Sequence, residues 1–259
     1  MALPTVSKQD VLALLGEIGV QAGDGLLVHS ALQFLGQPEN GPATYFEALQ
    51  AAVGPAGTLA VPTFNFCFAR GEGYDPATVP AVGMGALSEF VRQQPGAQRT
   101  THPMQSLALV GRHAAELAAL DTPSAFDDGS AFARMLELDF KLLLLGASVN
   151  AASMLHYSEQ RAEVPYRYWK DFSGRIRRDG EWREHTYRMF VRDLESDPQL
   201  EISAIQRELE ARGQWHSRKL NYGDIVQCRL ADFVAAADEL LAADPWVFVT
   251  NRADIQAGD

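Results

Sequence analysis

The chain has 259 residues, of which 47% are hydrophobic and 21% charged, and its formal net charge is −11. A chain of this size can bury one core, and its acidic excess argues against nucleic acid as a partner. Two cysteines make no disulfide framework, and neither a signal peptide nor an apolar run of about 18–20 residues is present, so we expect a cytoplasmic protein with no membrane partner.

The first half of the chain alternates helical and strand patterns. Ser7 precedes an apolar stripe at helical spacing, which predicts a capped first helix. A buried strand over residues 26–29 comes next, and then a helix over 44–53 that ends at Gly54. The segment "GTLAVPTFNF" predicts the second strand.

The alternation continues as far as the most hydrophobic strand of the chain. Helices are predicted around residues 85–94 and over "GRHAAELAAL" and "SAFARMLEL". Strands are predicted over "SLALVG" and "KLLLLGA". This order predicts an α/β fold with a central mixed sheet flanked by helices. Beyond His156, polar and aromatic residues alternate about Asp179-Gly180, which predicts an antiparallel hairpin. We therefore expect a single domain over 1–259, with this hairpin elaboration at about 165–200.

A histidine and a glutamate follow the strand "KLLLLGA" after a short loop. In a helix that begins near Ala152, His156 and Glu159 lie on one face, so that the carboxylate can accept one imidazole N–H and leave the other nitrogen as a base. The alternative is an ordinary surface pair. Two such residues do not define a zinc site. Their position favours function, because open α/β sheets bind ligands beyond strand ends.

Three other segments have both functional and structural interpretations. The strand that ends at Ser30 could offer backbone N–H groups to a phosphate, or Ser30 could be a helix cap beside a buried His29. In "RTTHPMQS", Arg99 could hold a phosphate and Ser106 could contact an extended ligand, or the segment is simply a rigid turn. Cys67 lies among aromatic residues, where a buried unreactive thiol is the usual state.

Together these segments resemble the aminoglycoside 3-N-acetyltransferase family, whose antibiotic N-acetyltransferase fold is distinct from that of the GNAT enzymes. The matching stretches, in the order and spacing of the family, are "GDGLLVHSALQFLG", "VGPAGTLAVPTFNF", "YDPATVPAVGMGALSEFVRQQPGAQRTTHPMQSLALVG", "DDGSAFARMLELDFKLLLLGASVNAASMLHYSEQ" and "VPYR". They cover about the first two-thirds of the chain.

The resemblance implies acetyl-CoA as the donor, a primary amine of an amino sugar or aminoglycoside as the acceptor, and no metal. It implies that His156 is the catalytic base and Glu159 the carboxylate that orients it. Six residues are implied to line the CoA channel: His29, Ser30, Ala31, Leu32, Arg99 and Ser106. Binding both substrates side by side then permits direct transfer without a covalent intermediate.

The acceptor side departs from the pattern of drug-modifying members, which often have acidic residues where this chain has "FNFCFAR". We predict acceptor contacts from four residues: Asn65, Tyr166, Arg167 and Trp169. Tyr168 and Lys170 could also contact the acceptor, and a plain surface hairpin explains the aromatic and basic residues of this segment equally well. A biosynthetic amino-sugar acetyltransferase without aminoglycoside activity is therefore an alternative. Two others are a metal-dependent hydrolase that uses His156, Glu159 and His102, and a binding protein that has lost catalysis. The oligomeric state is not predicted.

Overall fold

The computed structural model describes residues 3–257. Its strands are β1 Thr5–Val6, β2 Gly25–Ser30, β3 Gln37–Pro38, β4 Thr58–Pro62, β5 Gln98–Arg99, β6 Leu107–Gly111, β7 Lys141–Leu145, β8 Arg167–Arg178, β9 Glu181–Arg192, β10 His216–Leu220 and β11 Gly223–Arg229. Its α-helices are α1 Lys8–Glu17, α2 Pro42–Val53, α3 Ala86–Arg92, α4 Ala114–Ala118, α5 Ala131–Glu137, α6 Leu155–Arg161, α7 Ser203–Ala211, α8 Leu230–Ala243 and α9 Arg252–Ala257. Three short 3₁₀ helices cover Leu32–Phe34, Phe68–Arg70 and Val149–Ala151. No helix within residues 3–257 combines the length and the apolar character needed to cross a membrane.

Seven strands form the central sheet, in the order β10-β11-β7-β2-β4-β6-β5. The middle strand β2 runs parallel to both β7 and β4, while the other neighbouring pairs are antiparallel. The sheet is therefore mixed, and the predicted α/β class is confirmed. The parallel pair β2–β7 brings the carboxyl ends of these two strands to one edge of the sheet, where ligand sites of α/β proteins commonly form.

Both faces of the sheet are buried under helices. In β7, Leu142 and Leu144 point into one hydrophobic core, while Leu143 and Leu145 point into the other. Helices α1–α3 cover the second core, and α4–α8 cover the first. Full burial of each such leucine contributes roughly 1.5–3 kcal/mol, which explains the continuous hydrophobic run of this strand.

The predicted hairpin is present as β8 and β9, paired antiparallel over their whole length. Its two-residue turn consists of Asp179 (φ 51°) and Gly180 (φ 80°), and positive φ at both positions gives the turn whose twist matches paired strands. Its inner face packs on a third hydrophobic cluster that includes Phe68 and Tyr74. This cluster joins the hairpin to the segment that follows β4.

Local sequence signals account for most element boundaries. The predicted cap of the first helix is confirmed, since Ser7 and Asp10 form a reciprocal capping box. The helix that carries His156 begins at Leu155, later than predicted, because residues 149–151 form a 3₁₀ turn and Ala152 is extended. The elements beyond residue 192 had no sequence prediction.

Candidate active site

The site lies beyond the carboxyl ends of β2 and β7, where Ser30 pairs with Leu145. The chain leaves β7 through Gly146, whose φ is +69° and where a Cβ would come within 2.6 Å of the Ala31 carbonyl oxygen. Only glycine fits this close approach without strain. The loop then leads through the 3₁₀ turn into α6, which holds His156 and Glu159 at the sheet edge.

The histidine and the glutamate form a hydrogen-bonded pair. His156 Nδ1 lies 2.6 Å from Glu159 Oε2, and the glutamate side chain is fully buried while the histidine side chain is 32% exposed. Arg167, the first residue of β8, places its Nε 3.0 Å from the same carboxylate oxygen. The carboxylate therefore lies between an imidazole and a guanidinium.

The surroundings of Glu159 determine whether its carboxyl group is ionised. Burial acts to raise the pKa of Glu159, but the hydrogen bond and charge of His156, followed by Arg167, outweigh it and lower the pKa to about 2. The carboxylate is thus ionised at neutral pH and lies within hydrogen-bond distance of His156 Nδ1. When the imidazole proton is on Nδ1, the Nε2 lone pair is available to take another proton.

Two cavities meet at His156. A narrow cavity of about 150 Å³ reaches from it towards the end of β2 and the 3₁₀ turn at residues 149–151. A wider cleft of about 490 Å³ opens on the other side, under the hairpin. Both are lined by Phe64, His156 and Leu200. The imidazole therefore lies where a ligand in one cavity would meet a ligand in the other.

His29, predicted as a CoA contact, lines the narrow cavity and is brought close to the pair. Its Nε2 accepts from the backbone N–H of Ser153 at 3.3 Å. Burial, and then the charge of His156, lower the pKa of His29 to about 3, so its ring is neutral near pH 7. It holds the loop that precedes α6 and forms part of the cavity wall.

The other predicted CoA contacts separate into two groups. Ser30, Ala31 and Leu32 lie at the carboxyl end of β2, at the same sheet edge as the pair, although they do not line the narrow cavity. Ser30 does not cap the short helix that follows, because Ala31 occupies the cap position. The Ala31 backbone N–H donates to the Leu145 carbonyl oxygen at 2.8 Å and ties β2 to the start of the loop that leads to α6.

Arg99 and Ser106 lie together but away from the two cavities. Arg99 Nε donates to Ser106 Oγ at 3.0 Å, and its remaining nitrogens donate to the carbonyl oxygens of Pro76, Val79 and Thr63. Ser106 is fully buried. Because the protein itself uses these donors, the geometry favours a structural role in fixing the segment after β4 instead of the predicted phosphate contact.

Three of the four predicted acceptor contacts do not line the cleft. Tyr166 is only 2% exposed and packs against Trp246, and burial followed by the Glu159 charge raises the pKa of its hydroxyl. Asn65 is buried and bonds the Pro80 carbonyl and the Cys67 N–H. Trp169 packs on its cross-strand partner Phe190, which lines the cleft although Trp169 itself does not. The contacts of these three residues are structural, so their role in acceptor binding stays a prediction, and Arg167 alone of the four lines the cleft.

Apart from Tyr168 and Lys170, which were possible acceptor contacts, sequence reasoning missed most of the cleft. The residues that line it, besides the four already placed there, are Phe66, Gln105, Tyr168, Lys170, Phe172, Met189, Phe190, Val191, Arg192 and Leu194. The alternation of the hairpin carried part of this signal: Tyr168, Lys170 and Phe172 are two residues apart and share one face. The turn at Asp179-Gly180 fixes the register of β9, but not which face of the hairpin meets the cleft, and the following loop carries no such pattern.

The residues of the alternative chemistries are placed elsewhere. Within the described residues, no group of three or more His, Cys, Asp or Glu side chains is arranged to hold a metal ion. His102 is buried and packs on Tyr187, and it lines a different small cavity. Cys67 is buried, and burial is the main cause that raises the pKa of its thiol. Neither residue lines the cavities at His156.

The sequence of the chain is similar to a known protein family and to its members. Residues 27–242 match the sequence model of the family described as aminoglycoside 3-N-acetyltransferase. An aminoglycoside N(3)-acetyltransferase III from Salmonella sp is 33% identical over 226 residues, which cover 79% of this chain and 77% of that protein.

Two solved structures share the fold over nearly the whole chain. AAC-IIIb in a binary complex with CoASH superposes with a TM-score of 0.83 at 25% identity, covering 95% of this chain and 99% of that one. A histidine-to-alanine mutant of the aminoglycoside acetyltransferase AAC(3)-IVa, in complex with a gentamicin, gives 0.80 at 29% identity, covering 98% and 95%. The predicted enzyme class, an acetyl-CoA-dependent N-acetyltransferase, is thereby confirmed, and the chain belongs to the aminoglycoside 3-N-acetyltransferase family.

Proposed function

We propose that the protein transfers an acetyl group from acetyl-CoA directly to a primary amine of an amino sugar or aminoglycoside, with His156 as the general base. The observation that carries this proposal is the position of the His156–Glu159 pair at the junction of two cavities. A ligand in one cavity would meet a ligand in the other at His156 Nε2, the ring nitrogen that does not contact the Glu159 carboxylate.

His156 supplies the step that an amine acceptor requires. A primary amine is protonated at neutral pH and must lose its proton before its lone pair can attack a thioester. Nε2 of His156 takes that proton, while the buried Glu159 carboxylate stabilises the imidazolium that forms. A general base of this kind contributes roughly 10²–10⁴-fold.

The shape of the site fits both substrates. Acetyl-CoA supplies an activated acetyl group when bound, and the narrow cavity, lined by Ala151, Ala152 and Ser153, suits a slender chain better than a ring. The wider cleft has the volume of an ordinary small-molecule site. Holding the two reactants at one point supplies the remaining acceleration through proximity, so no enzyme nucleophile is needed.

The names of the relatives indicate that the acceptor is an amine, but they do not identify the amine. The similar proteins are named for aminoglycosides, and one solved neighbour holds a gentamicin. In this chain, however, the cleft residue Arg167 pairs with Glu159. Asn65, a predicted acceptor contact, is buried and does not line the cleft. We therefore include biosynthetic amino sugars beside aminoglycosides in the proposal.

The test is acetyl-CoA turnover, followed by thiol release, with a panel of aminoglycosides and amino sugars. We expect His156→Ala to lose at least about 100-fold in kcat while acetyl-CoA binding is unchanged, because the base acts on the acceptor. Glu159→Gln should cost less and move the acid limb of the pH–rate profile to lower pH, because the imidazolium loses its counter-charge.

A matched control lies on the surface of the protein. His113 and Glu116 have the same i,i+3 spacing, with Nδ1 and Oε2 2.9 Å apart, but lie in α4 and its cap. His113→Ala and Glu116→Gln should leave both kcat and the pH–rate profile unchanged. Turnover in His156→Ala equal to that of the wild type would remove His156 from the mechanism, and activity abolished by a chelator would favour the metal-dependent hydrolase.

A further inference from the structure

The cleft beside His156 contains cationic side chains and no acidic ones. Among the described residues that line it, the charged side chains are Arg167, Lys170 and Arg192, and neither Asp nor Glu is present. A polycationic acceptor would meet like charge here. The formal net charge of the whole chain is −11, so this local excess of positive charge opposes the overall composition.

The register of the hairpin places two of these cations together. Arg167 of β8 is the direct cross-strand partner of Arg192 of β9. Like charges at directly opposite positions destabilise a sheet. Arg167 is compensated by the buried Glu159, and Arg192 by Asp197 at 3.4 Å in a pair whose side chains are 41% and 57% exposed. An exposed pair of this kind contributes little.

Lys170 has no such compensation. It is exposed, its ammonium lies 5.4 Å from the centre of the Phe172 ring, and within residues 3–257 it forms no ion pair with a carboxylate. Its neighbour Asp171 points to the opposite face of the hairpin, where it faces Arg188 at 3.9 Å. Lys170 therefore presents an unpaired positive charge to the cleft.

The acidic residues near the rim are directed elsewhere. Asp193 accepts from Ser196 and from the Glu195 N–H, and Glu201 accepts from Asn150 and the Ser203 N–H. None of these carboxylates lines the cleft. A cationic acceptor would thus find no carboxylate partner among the described residues of the cleft wall.

The remaining wall is apolar and partly open to solvent. Phe66, Tyr168 and Leu194 line the cleft and are 45%, 48% and 76% exposed. Large apolar side chains that remain exposed around a concavity commonly mark a binding surface. They suit the apolar face of a sugar or another ring.

We propose that the acceptor amine carries an anionic carboxylate or phosphate group on a ring-sized scaffold, and that polycationic amines are poor acceptors. This inference rests on the proposed function, because the amine must reach His156. Arg167 Nη2 lies 3.3 Å from His156 Nδ1. Lys170 lies on the opposite face of β8 from Arg167, beside Phe172 in the cleft lining, so its unpaired ammonium is the charge available to an anionic group of the acceptor.

The experiment compares a matched series of probes that differ in charge: D-glucosamine, D-glucosamine 6-phosphate, 2-amino-2-deoxy-D-glucuronic acid and kanamycin. Equilibrium binding is measured by calorimetry on the wild-type protein in the presence of CoA, and kcat/KM by thiol release. We expect at least one anionic probe to bind about tenfold tighter than glucosamine, and kanamycin to bind most weakly. The two anionic probes distinguish a phosphate from a carboxylate.

Lys170→Glu should abolish the preference for the anionic probe and strengthen kanamycin binding. The control is Lys219→Glu, which changes the net charge equally at an exposed lysine that pairs with Asp224 outside the cleft. It should leave the order of the probes unchanged. Added salt should reduce the preference in the wild type, because it screens exposed charges.

The outcomes separate this inference from the proposed function. A flat or inverted order of binding, or no measurable binding of either anionic probe, overturns the anionic acceptor even if thiol release still depends on His156. Charge-dependent binding that disappears in Lys170→Glu, but without thiol release from any probe, supports the cleft assignment and contradicts the acetyl transfer.

Discussion

Arg167 connects the catalytic pair to the acceptor cleft at the scale of single residues. Its side chain is 9% exposed and its Nε lies 3.0 Å from the fully buried Glu159 carboxylate. The same guanidinium approaches the imidazole of His156. A buried carboxylate needs cationic or hydrogen-bonding partners, so Arg167 holds Glu159 in the ionised form and in the orientation that faces His156.

Arg167→Met should lower the free energy of unfolding by on the order of 3 kcal/mol, because a buried carboxylate loses one of its two partners. It should also lower kcat and move the acid limb of the pH–rate profile to higher pH, since the imidazolium no longer faces a neighbouring cation. Urea unfolding and the pH dependence of thiol release measure the two effects.

Arg161→Met is the matched control for that substitution. Arg161 ends α6 but is 52% exposed and pairs with Asp238 at 3.3 Å. Its loss should change the free energy of unfolding by no more than about 1 kcal/mol and should leave the pH–rate profile unchanged. If Arg167→Met loses stability but keeps the wild-type pH–rate profile, Arg167 is structural and does not position the pair.

Substitution of Cys67 tests whether the acetyl transfer proceeds without an enzyme nucleophile. Its thiol is buried, and burial raises the thiol pKa, so little thiolate exists near pH 7. Cys67→Ala should therefore keep kcat within about twofold of the wild type. A correctly folded Cys67→Ala protein with a severe loss of thiol release would instead require an acyl-enzyme route.

The residue spacing predicted the contact between His156 and Glu159 but not the groups that surround them. His156 and Glu159 are one helical turn apart, so their contact could be predicted from sequence alone. The approach of Arg167 could not, because it depends on where β8 begins relative to α6. Arg99 shows what a lone arginine after a turn does not reveal: it resembles a phosphate ligand, whereas in the fold its guanidinium donates to backbone carbonyls.

The hairpin β8–β9 is the element that forms the acceptor side. Its far end is tied to the body of the protein by Asp121, which accepts from Arg178 and from the Tyr187 hydroxyl. Tyr187 is fully buried and also packs on His102 and Phe68. These contacts fix the hairpin, whose inner face lines the cleft. Loss of one of them should therefore weaken acceptor binding more than acetyl-CoA binding.

Tyr187→Phe should reduce the free energy of unfolding by about 1–2 kcal/mol, because Asp121 and Arg178 lose a buried hydrogen-bond partner. We expect KM for the acceptor to rise several-fold while KM for acetyl-CoA is unchanged. Steady-state kinetics with each substrate varied in turn, together with thermal unfolding, provide the measurement.

Thr186→Ala is the control for the hairpin. Thr186 is the preceding residue, exposed to solvent, and its hydroxyl lies 2.8 Å from that of Ser173. Its removal should change stability by no more than about 0.5 kcal/mol and leave both KM values unchanged. An equal rise of the two KM values in Tyr187→Phe would contradict a role limited to the acceptor side.

Elements could be predicted better than the faces they present. The polar and aromatic alternation and Asp179-Gly180 predicted the hairpin and its turn. The same alternation offers two faces, and the sequence did not separate Trp169 from Lys170, of which only Lys170 lines the cleft. The choice between faces depends on docking against Phe68 and Tyr74, which are distant in sequence.

At the scale of the whole molecule, pH acts on stability through carboxylates whose pKa differs between the folded and unfolded states. The pKa of Glu159 falls from its ordinary value of 4.5 to about 2, despite burial, through His156 and Arg167. Between these values the unfolded chain binds the proton more readily. The ionised carboxylate therefore stabilises the fold above about pH 4.5, and this contribution is lost as pH falls towards 2.

Glu159→Gln removes this titration, so the difference in unfolding free energy between wild type and variant should shrink as the solution is acidified. Between pH 6 and pH 3 we expect it to fall by on the order of 2 kcal/mol. Urea unfolding at a series of pH values measures it. Glu116→Gln, at the surface pair with His113, should show a much smaller change because water already screens that carboxylate. A difference for Glu159→Gln that stays constant with pH would show that the carboxylate is not held ionised by its partners.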